Sequence, residues 1–336
     1  MSVDPFDERP LGAKVAGALE EGPLSGQVLA EYFGVSRQAI WKAVQALRAE
    51  GMDVVSESGG YRMERGGFGA LSLSWHCNRA VVFHSETGST NRDLFALAME
   101  GAEAGTLVVA ERQLAGKGRL GRSWVSTDTK NLSFSLLLRP SLRPDQAPLI
   151  CLAAAVAIHQ ITGLGIKWPN DILAPSGGEH GETGAGAKVS GILAELHAEV
   201  GHLHFVVLGV GLNVHPQDFP DGILATSLAQ ALPDRDWDRG RLLGELVDRI
   251  ETLCYQLQTE PAKVLKAWRA GSVTLGREVR VGQHQGVAVD LREDGALILE
   301  TPGGRVPILA GDVEMVVTHG TGLAPEKSPP SEWPLS

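Results

Sequence analysis

The sequence predicts an α+β protein in three parts: an N-terminal winged helix-turn-helix, a central mixed α/β body and a small β-rich C-terminal domain. Three observations carry this. Three short amphipathic helical patterns and a Gly-Gly hairpin fill the first 65 residues. From about residue 80 to 270, helical and strand periodicities alternate with no internal repeat. From Gly276 only short strand-length runs remain, punctuated by glycine.

Composition bounds the reading. A chain of 336 residues has room for two or three domains, and 43% hydrophobic content is ordinary for a globular protein. The longest apolar run, Ala147–Ile158, is too short to span a bilayer, so no membrane association is expected. The N-terminus lacks a signal-peptide pattern, and the three cysteines are scattered without CxxC. Both point to a reducing cytoplasm, with neither a disulfide framework nor a zinc site. A net charge of −10 argues against broad nonspecific nucleic-acid binding while leaving room for a local DNA-reading surface.

In chain order, Leu11–Glu20 reads as a helix with Val15, Ala18 and Leu19 on one face. Ser25 caps a second helix to Phe33, and Gly34 ends it. Ser36 caps a third, Arg37–Glu50, with Ile40, Val44 and Leu47 inward. Asp53–Ser56, Gly59-Gly60 and Tyr61–Met63 form the wing. The segment to Arg65 has 7 cations against 10 acids, but the third helix through Ala49 has three cations and no acid. Its outer side carries Arg37, Gln38, Trp41, Lys42 and Gln45, side chains of the kind that reach base edges and phosphates. The competing reading is a winged helix used for protein contact, or a vestige. DNA binding is expected through Ser36, Arg37, Gln38, Trp41 and Lys42.

Glu64–Ser74 reads as a glycine-rich linker. Ala80–Ser85 is a strand, and Ser89-Thr90-Asn91 opens a helix to about Glu100. Taken alone, those three residues are a helix cap. Thr106–Glu111 and Leu132–Leu138 are strands, and a nearly all-apolar, buried helix runs from about Asp145 to Ile161. Gly165–Trp168 is a short strand turned by Pro169-Asn170, with Lys167 and Asp171 bracketing the turn. Pro175–Ala187 is glycine-rich, and Lys188–Glu199 with His202–Val214 reads as a long antiparallel hairpin. Trp237–Gln258 and Pro261–Ala270 are amphipathic helices. Five short strands end the fold: Glu278–Val281, Gly286–Arg292, Ala296–Glu300, Arg305–Ile308 and Val313–Val317. A Pro-rich tail follows.

The most informative stretch is Gln113-Leu-Ala-Gly-Lys-Gly-Arg-Leu-Gly-Arg-Ser-Trp124. Glycines at 116, 118 and 121 permit close approach to a ligand and a nest of free N–H groups. Lys117, Arg119 and Arg122 add positive charge, and Trp124 adds a flat apolar face. These parts suit a ligand with a phosphate at one end and a compact ring at the other. The glycines match GxGxxG, but a strand follows where a dinucleotide site needs a helix, and no GxxxxGK[ST] occurs. A solvated basic turn is the plainer alternative for the loop by itself.

The ordered set decides between them. Ser89-Thr90-Asn91, the glycine–cation loop, Lys167-Trp168-Pro169-Asn170-Asp171, Lys188–Glu195 and Gly209-Val210-Gly211-Leu212-Asn213 together resemble the biotin protein ligases over nearly the whole chain. The N-terminal segment resembles the DNA-binding domain of the bifunctional ligase/repressor members. The resemblance implies a biotin/lipoyl-ligase catalytic fold over 67–270, a winged helix over 1–66, an SH3-like barrel over 271–319 and a disordered tail over 320–336.

It also implies activity and roles. Biotin and ATP-Mg²⁺ would give biotinyl-5′-AMP, and a lysine of a biotin carboxyl carrier protein would then take the biotin. Ser89, Thr90, Asn91 and Gln113 match the groups holding biotin's ureido end. Gly116, Lys117, Gly118 and Arg119 match the loop over biotin and adenylate, with Arg119 also catalytic and Trp124 the aromatic wall. Lys188 matches the lysine bridging the biotin carboxyl and the α-phosphate. Arg122, Asn170 and Asn213 match nucleotide contacts. Lys167 and Asp171 match catalytic groups near the phosphates, with Asp171 for Mg²⁺ or for activating the acceptor amine. Read alone, Lys188 would be a strand-edge solubility residue. Operator DNA and a ligand-promoted homodimer are the further partners implied, the dimer aligned through the long strands.

Two departures stand out. Lys117 stands where arginine is frequent, which turns a planar fork into a point charge. Pro175–Ala187 is longer than usual. Two competing functions are a lipoyl or octanoyl ligase, which the loop and the Lys167–Asp171 motif disfavour, and a non-catalytic biotin-sensing regulator, which an intact Lys188 disfavours.

Overall fold

The structure is a computed structural model, and it describes residues 9–65, 68–79, 81–124, 131–175, 186–220 and 222–316. Helices α1 (Leu11–Glu20), α2 (Gly26–Phe33) and α3 (Arg37–Ala49) pack with the hairpin β1 (Asp53–Glu57) and β2 (Gly60–Arg65). The caps are those expected. Ser25 Oγ accepts from Val28 N and Ser36 Oγ from Ala39 N, each at 3.1 Å, and Gly34 ends α2 at φ 65°. Ile40, Val44 and Leu47 are fully buried, which turns Arg37, Gln38, Trp41 and Lys42 outward.

The expected linker is not one along its length. Residues 66–67 lie outside the described residues, but Ala70–His76 is a helix, α4, wedged between the winged helix and the body. Glu50 Oε2 accepts from Leu71 N at its first turn (2.9 Å). A Cβ on Gly17 of α1 would fall 1.9 Å from the Trp75 ring, so glycine is what lets the two helices touch. Across the seam His76 Nε2 lies 3.2 Å from Glu20 Oε1. A helix that buries Leu73 and satisfies its own backbone replaces the flexible tether its glycines had implied.

The body is a seven-stranded sheet in the order β3-β4-β5-β9-β8-β7-β6. Its strands are β3 (Val81–Thr87), β4 (Leu107–Gln113), β5 (Leu132–Leu138), β6 (Gly165–Lys167), β7 (Asp171–Ala174), β8 (Ala187–Glu199) and β9 (His202–Leu212). β3 and β4 run parallel, and all other pairs are antiparallel. Residue parity sorts the faces. Phe134, Leu136, Val206, Leu208 and Val210 join the large core beneath α6 (Pro148–Thr162) and α8 (Arg239–Thr259). On the other face Val108, Leu137, Phe205 and Val207 pack under α5 (Thr90–Met99). Beyond the N-terminus of α5 that face carries Ser133, Ser135, Gly191, Gly209 and Gly211. The long hairpin strands lie inside the sheet, not at its ends. β7 nonetheless pairs only as far as Gly191, so Ile192–Glu199 has β9 on one side and no further strand on the other among the described residues.

A short α7 (Leu228–Ala231) precedes α8, and α9 (Pro261–Gly271) leads into the small SH3-like domain. That domain is an antiparallel sheet, β13-β12-β11-β10-β14, of β10 (Glu278–Val281), β11 (His284–Leu291), β12 (Leu297–Thr301), β13 (Gly304–Ile308) and β14 (Glu314–Met315). The last strand is shorter than expected, and Val317 and the tail 320–336 lie outside the described residues. Buried Trp168 ties this domain to the body: its backbone N donates to Thr274 Oγ1 (2.9 Å), and its Nε1 donates to Gly295 O (3.0 Å). The three cysteines are free, and no helix among the described residues is long and apolar enough to cross a membrane.

Candidate active site

One cleft gathers most of the expected residues. Its empty volume is about 760 Å³ with its open mouth included, room for a ring joined to a nucleotide. Ser89, Thr90 and Asn91 enter from the start of α5, Gln113 from the end of β4, and Lys117–Trp124 from the loop. Asn170 and Asp171 enter from the start of β7 and Lys188 from the start of β8. These are strand and helix ends, where a backbone fixed on one side presents side chains on the other.

The loop is a small hairpin. Gly118 N donates to Arg122 O (2.7 Å), Trp124 N donates to Gly116 O (2.8 Å), and the backbones of Lys117 and Ser123 form a bridge. Positive φ falls on Gly121 (75°) and, less expectedly, on Leu120 (54°). Buried Gly116 is part of the closure and does not line the cleft. Lys117 is exposed and lines the cleft, so the point charge that replaces a fork stands at the cleft's solvent-open part.

The Trp124 indole packs directly over Gly211 and Gly191. A Cβ would stand 2.2 Å from Trp124 Cε2 if added to Gly211 and 3.1 Å from its Cζ3 if added to Gly191. Its Nε1 is buried with no hydrogen-bond partner among the described residues. Sequence reading assigned no role to Gly191, Gly209 or Gly211. The signal was there: two glycines two apart on one strand must clear one face.

The charges are dense. Lys188 Nζ is 2.7 Å from Asp171 Oδ1 and 5.8 Å from the Trp124 ring centre. Arg119 donates to Asn170 Oδ1 (3.5 Å) and to Gly311 O (3.3 Å), and Arg122 pairs with Asp312. The C-terminal domain therefore grips the loop, and Asp312 lines the cleft, a contribution no local pattern announced. Lys167 stands behind this group rather than in the cleft lining. Burial lowers its pKa, opposed by Asp171 and assisted by the nearby Lys188.

Two asparagines are braces. Asn213 is buried outside the cleft lining; its Nδ2 donates to Thr226 O (3.1 Å) and its Oδ1 accepts from Gln217 (3.1 Å). That supports the turn around Lys188 rather than a direct nucleotide contact. Asn91 spends its amide on protein: Nδ2 donates to Glu195 Oε2 (2.8 Å), and Ser135 Oγ lies 2.6 Å from Oδ1. Ser135 and Glu195 were both missed from the sequence. On the winged helix, Arg37, Gln38 and Trp41 share a groove with the wing residues Ser56–Tyr61, while Ser36 keeps its hydroxyl on Ala39 N.

No three His, Cys, Asp or Glu side chains converge as a metal site among the described residues. A magnesium ion carried by a nucleotide needs only one or two carboxylates beside the phosphates, and Asp171 and Asp312 both line the cleft.

Comparison with known proteins follows this geometry. Residues 84–213 match the biotin/lipoate A/B protein ligase family, 18–62 an HTH domain, and 274–316 the biotin protein ligase C terminal domain. The chain is 33% identical over 317 residues to the bifunctional ligase/repressor BirA of Bacillus subtilis, covering 87% of this chain and 94% of that one. It is 38% identical over 248 residues to the biotin–[acetyl-CoA-carboxylase] ligase of Mycobacterium tuberculosis, covering 68% and 86%. The biotin protein ligase from Aquifex aeolicus in complex with biotin and ATP superposes with a TM-score of 0.56 at 30% identity, over 71% of this chain and 99% of that one.

Proposed function

The chain belongs to the biotin protein ligases, and from that premise we propose that the cleft activates biotin with ATP and passes it to a lysine of a biotin carboxyl carrier protein. The supporting observation is convergence: segments from residues 89, 113, 117–124, 170–171, 188 and 312 meet on one cleft.

The chemistry needs that set. A carboxylate is a poor acyl donor, and it must attack the α-phosphate of another anion. In this reading Lys188 bridges the biotin carboxylate and the α-phosphate and Arg119 and Arg122 serve the phosphates; all three line the cleft. Fixed cations offset the repulsion and stabilise charge as the carboxylate oxygen bonds to phosphorus and pyrophosphate leaves. The bicyclic ring packs beside the Trp124 indole, which itself covers Gly191 and Gly211, with Ser89, Thr90 and Gln113 at the ureido end. Magnesium, when bound, would neutralise the polyphosphate, with Asp171 the carboxylate proposed to hold it and Asp312 also lining the cleft. In the second step a carrier lysine nitrogen attacks the mixed anhydride, the amide forms, AMP leaves and the amine proton is released. Where it does not hold magnesium, Asp171, which pairs with Lys188 at 2.7 Å, takes that proton in this reading.

The winged helix reads operator DNA through Arg37, Gln38, Trp41 and Lys42, making the protein a biotin-responsive repressor as well. A dimer forms when the stretch Leu193–Glu199, beyond Ile192 and its bonds to Asn170, pairs with its symmetry mate, and adenylate favours it.

Mass spectrometry of a carrier domain incubated with the protein, ATP and biotin tests the central reading: the carrier gains one biotinyl group. No mass gain, with biotin bound, returns the protein to a sensor. A lipoyl or octanoyl ligase would instead support pyrophosphate exchange with lipoate or octanoate as fast as with biotin.

A further inference from the structure

The short helix α4 belongs to two cores at once. Leu71 packs against the core of the winged helix, while Leu73 and Cys77 are buried in the core of the body. Glycines make room for it on both sides. A Cβ on Gly12 of α1 would stand 2.7 Å from Leu71 Cδ1, and one on Gly17 would stand 1.9 Å from the Trp75 ring. Opposite, a Cβ on Gly240 of α8 would stand 2.6 Å from His76 Cδ2, and one on Gly244 would stand 2.3 Å from His76 O. Polar contacts span the same seam. Glu20, the last residue of α1, lies 3.2 Å from His76 Nε2 through Oε1 and 3.7 Å from Arg241 Nη2 of α8 through Oε2. Glu50, which follows the recognition helix α3, accepts from Leu71 N at 2.9 Å.

Close packing on both sides leaves α4 no room to swing. The end of α3 is bonded to α4, and α4 is part of the core of the body, so the recognition helix keeps one position and one direction relative to the body. A flexible tether of the length of Glu64–Ser74 would span about 18 Å and let each winged helix find its half-site independently. A docked winged helix has no such freedom. In a two-fold dimer of the body, the two copies of α3 stand at one separation and one angle. On DNA, each added base pair moves a half-site about 3.4 Å along the duplex and turns it about 34° around the axis. Five added base pairs carry it to the opposite face.

We infer that the α4 seam fixes the spacing of the DNA half-sites: the protein fits a duplex whose two half-sites lie at one separation, and Trp75, Glu20 and Glu50 enforce that selectivity without touching DNA. This rests on the operator and dimer readings of the winged helix and the strand edge, and the experiment tells their failure from its own.

The probe is the duplex that the full chain, with biotin and ATP, retains from a pool of random sequence, its two half-sites located by footprinting. Five base pairs inserted between them lower the affinity of the unaltered protein about 100-fold or more, the loss of several base contacts. Trp75→Ala combined with Glu20→Ala removes the outer part of the seam and leaves Leu73 in the core of the body. In that variant the same insertion costs less than about tenfold, because a tethered domain loses affinity only slowly with span. Biotin-dependent pyrophosphate exchange stays normal. Glu50→Ala, which frees the end of α3 from α4, shrinks the loss in the same direction and covers the case in which the double variant fails to fold. An unaltered protein that binds both duplexes equally overturns the inference, as does a folded double variant that keeps the full loss. Retention of no duplex overturns the operator reading instead, and one protomer per bound duplex in sedimentation overturns the dimer reading.

Discussion

Gly211→Ala adds one methyl group, and the structure says where it goes. Its Cβ would lie 2.2 Å from Trp124 Cε2 and 2.6 Å from Nε1, where an ordinary contact begins at 3.4 Å. The indole must withdraw by about 1.2 Å, the difference between 3.4 and 2.2 Å. Trp124 N donates to Gly116 O and Gly118 N to Arg122 O, so any shift of the Trp124 backbone is passed along the hairpin. The expected result is a shifted hairpin that carries Arg119 and Arg122 with it. Misplacing reacting groups by about 1 Å costs roughly 100-fold in rate. The cost in stability is toward the low end of the roughly 1–3 kcal/mol range for overpacking, since Trp124 is half-exposed on a loop that can yield. Biotin-dependent pyrophosphate exchange should therefore show kcat/KM down about 100-fold, with a melting temperature within a few degrees of the unaltered protein. Unchanged kcat/KM in a folded Gly211→Ala protein would refute the seat of Trp124 on Gly211 as what holds the loop in place for catalysis.

Other expectations follow from the same contacts. Lys188→Ala should slow adenylate formation about 100-fold or more, the loss seen for one oxyanion-stabilising donor, while its half-exposed pair with Asp171 contributes little to stability; a normal burst of adenylate would remove Lys188 from the first step. Arg37→Ala with Lys42→Ala should abolish binding to the upstream DNA of the protein's own gene in a mobility-shift assay and leave ligation intact, and a parallel loss of ligation would contradict separate surfaces. Burial lowers the Lys167 pKa, so the unfolded chain binds more protons just below the ordinary lysine range. Stability should rise with pH through that window, and Lys167→Met should flatten the rise in urea midpoints; parallel curves for the two proteins would count against it. Sedimentation with and without biotin plus ATP should show a dimer favoured by ligand, and a monomer–dimer constant that ignores an occupied site would exclude the switch.

Much of this was legible in the chain itself, for a local reason. Helix caps are satisfied within three residues, as Ser25 with Val28 and Ser36 with Ala39, so a short window contains cause and effect. Alternating apolar residues likewise declared β5, and the motif order declared the cleft. What the tertiary structure decided was which polar atoms remain free for a ligand. Asn91 looked like a ligand group until Glu195, 104 residues away, took its amide, and Asn213 until Thr226 and Gln217 took its own. Asp312 reaches Arg122 only because Trp168 docks the C-terminal domain on the body. The glycines of the supposed linker gave no sign that α4 would find Gly17, Glu50 and Glu20 waiting. A side chain's type is written in the sequence, but a buried hydrogen-bonding group spends each proton and lone pair on whatever folding brings within 3 Å. That choice is made between residues far apart in the chain, where periodicity and spacing carry no information.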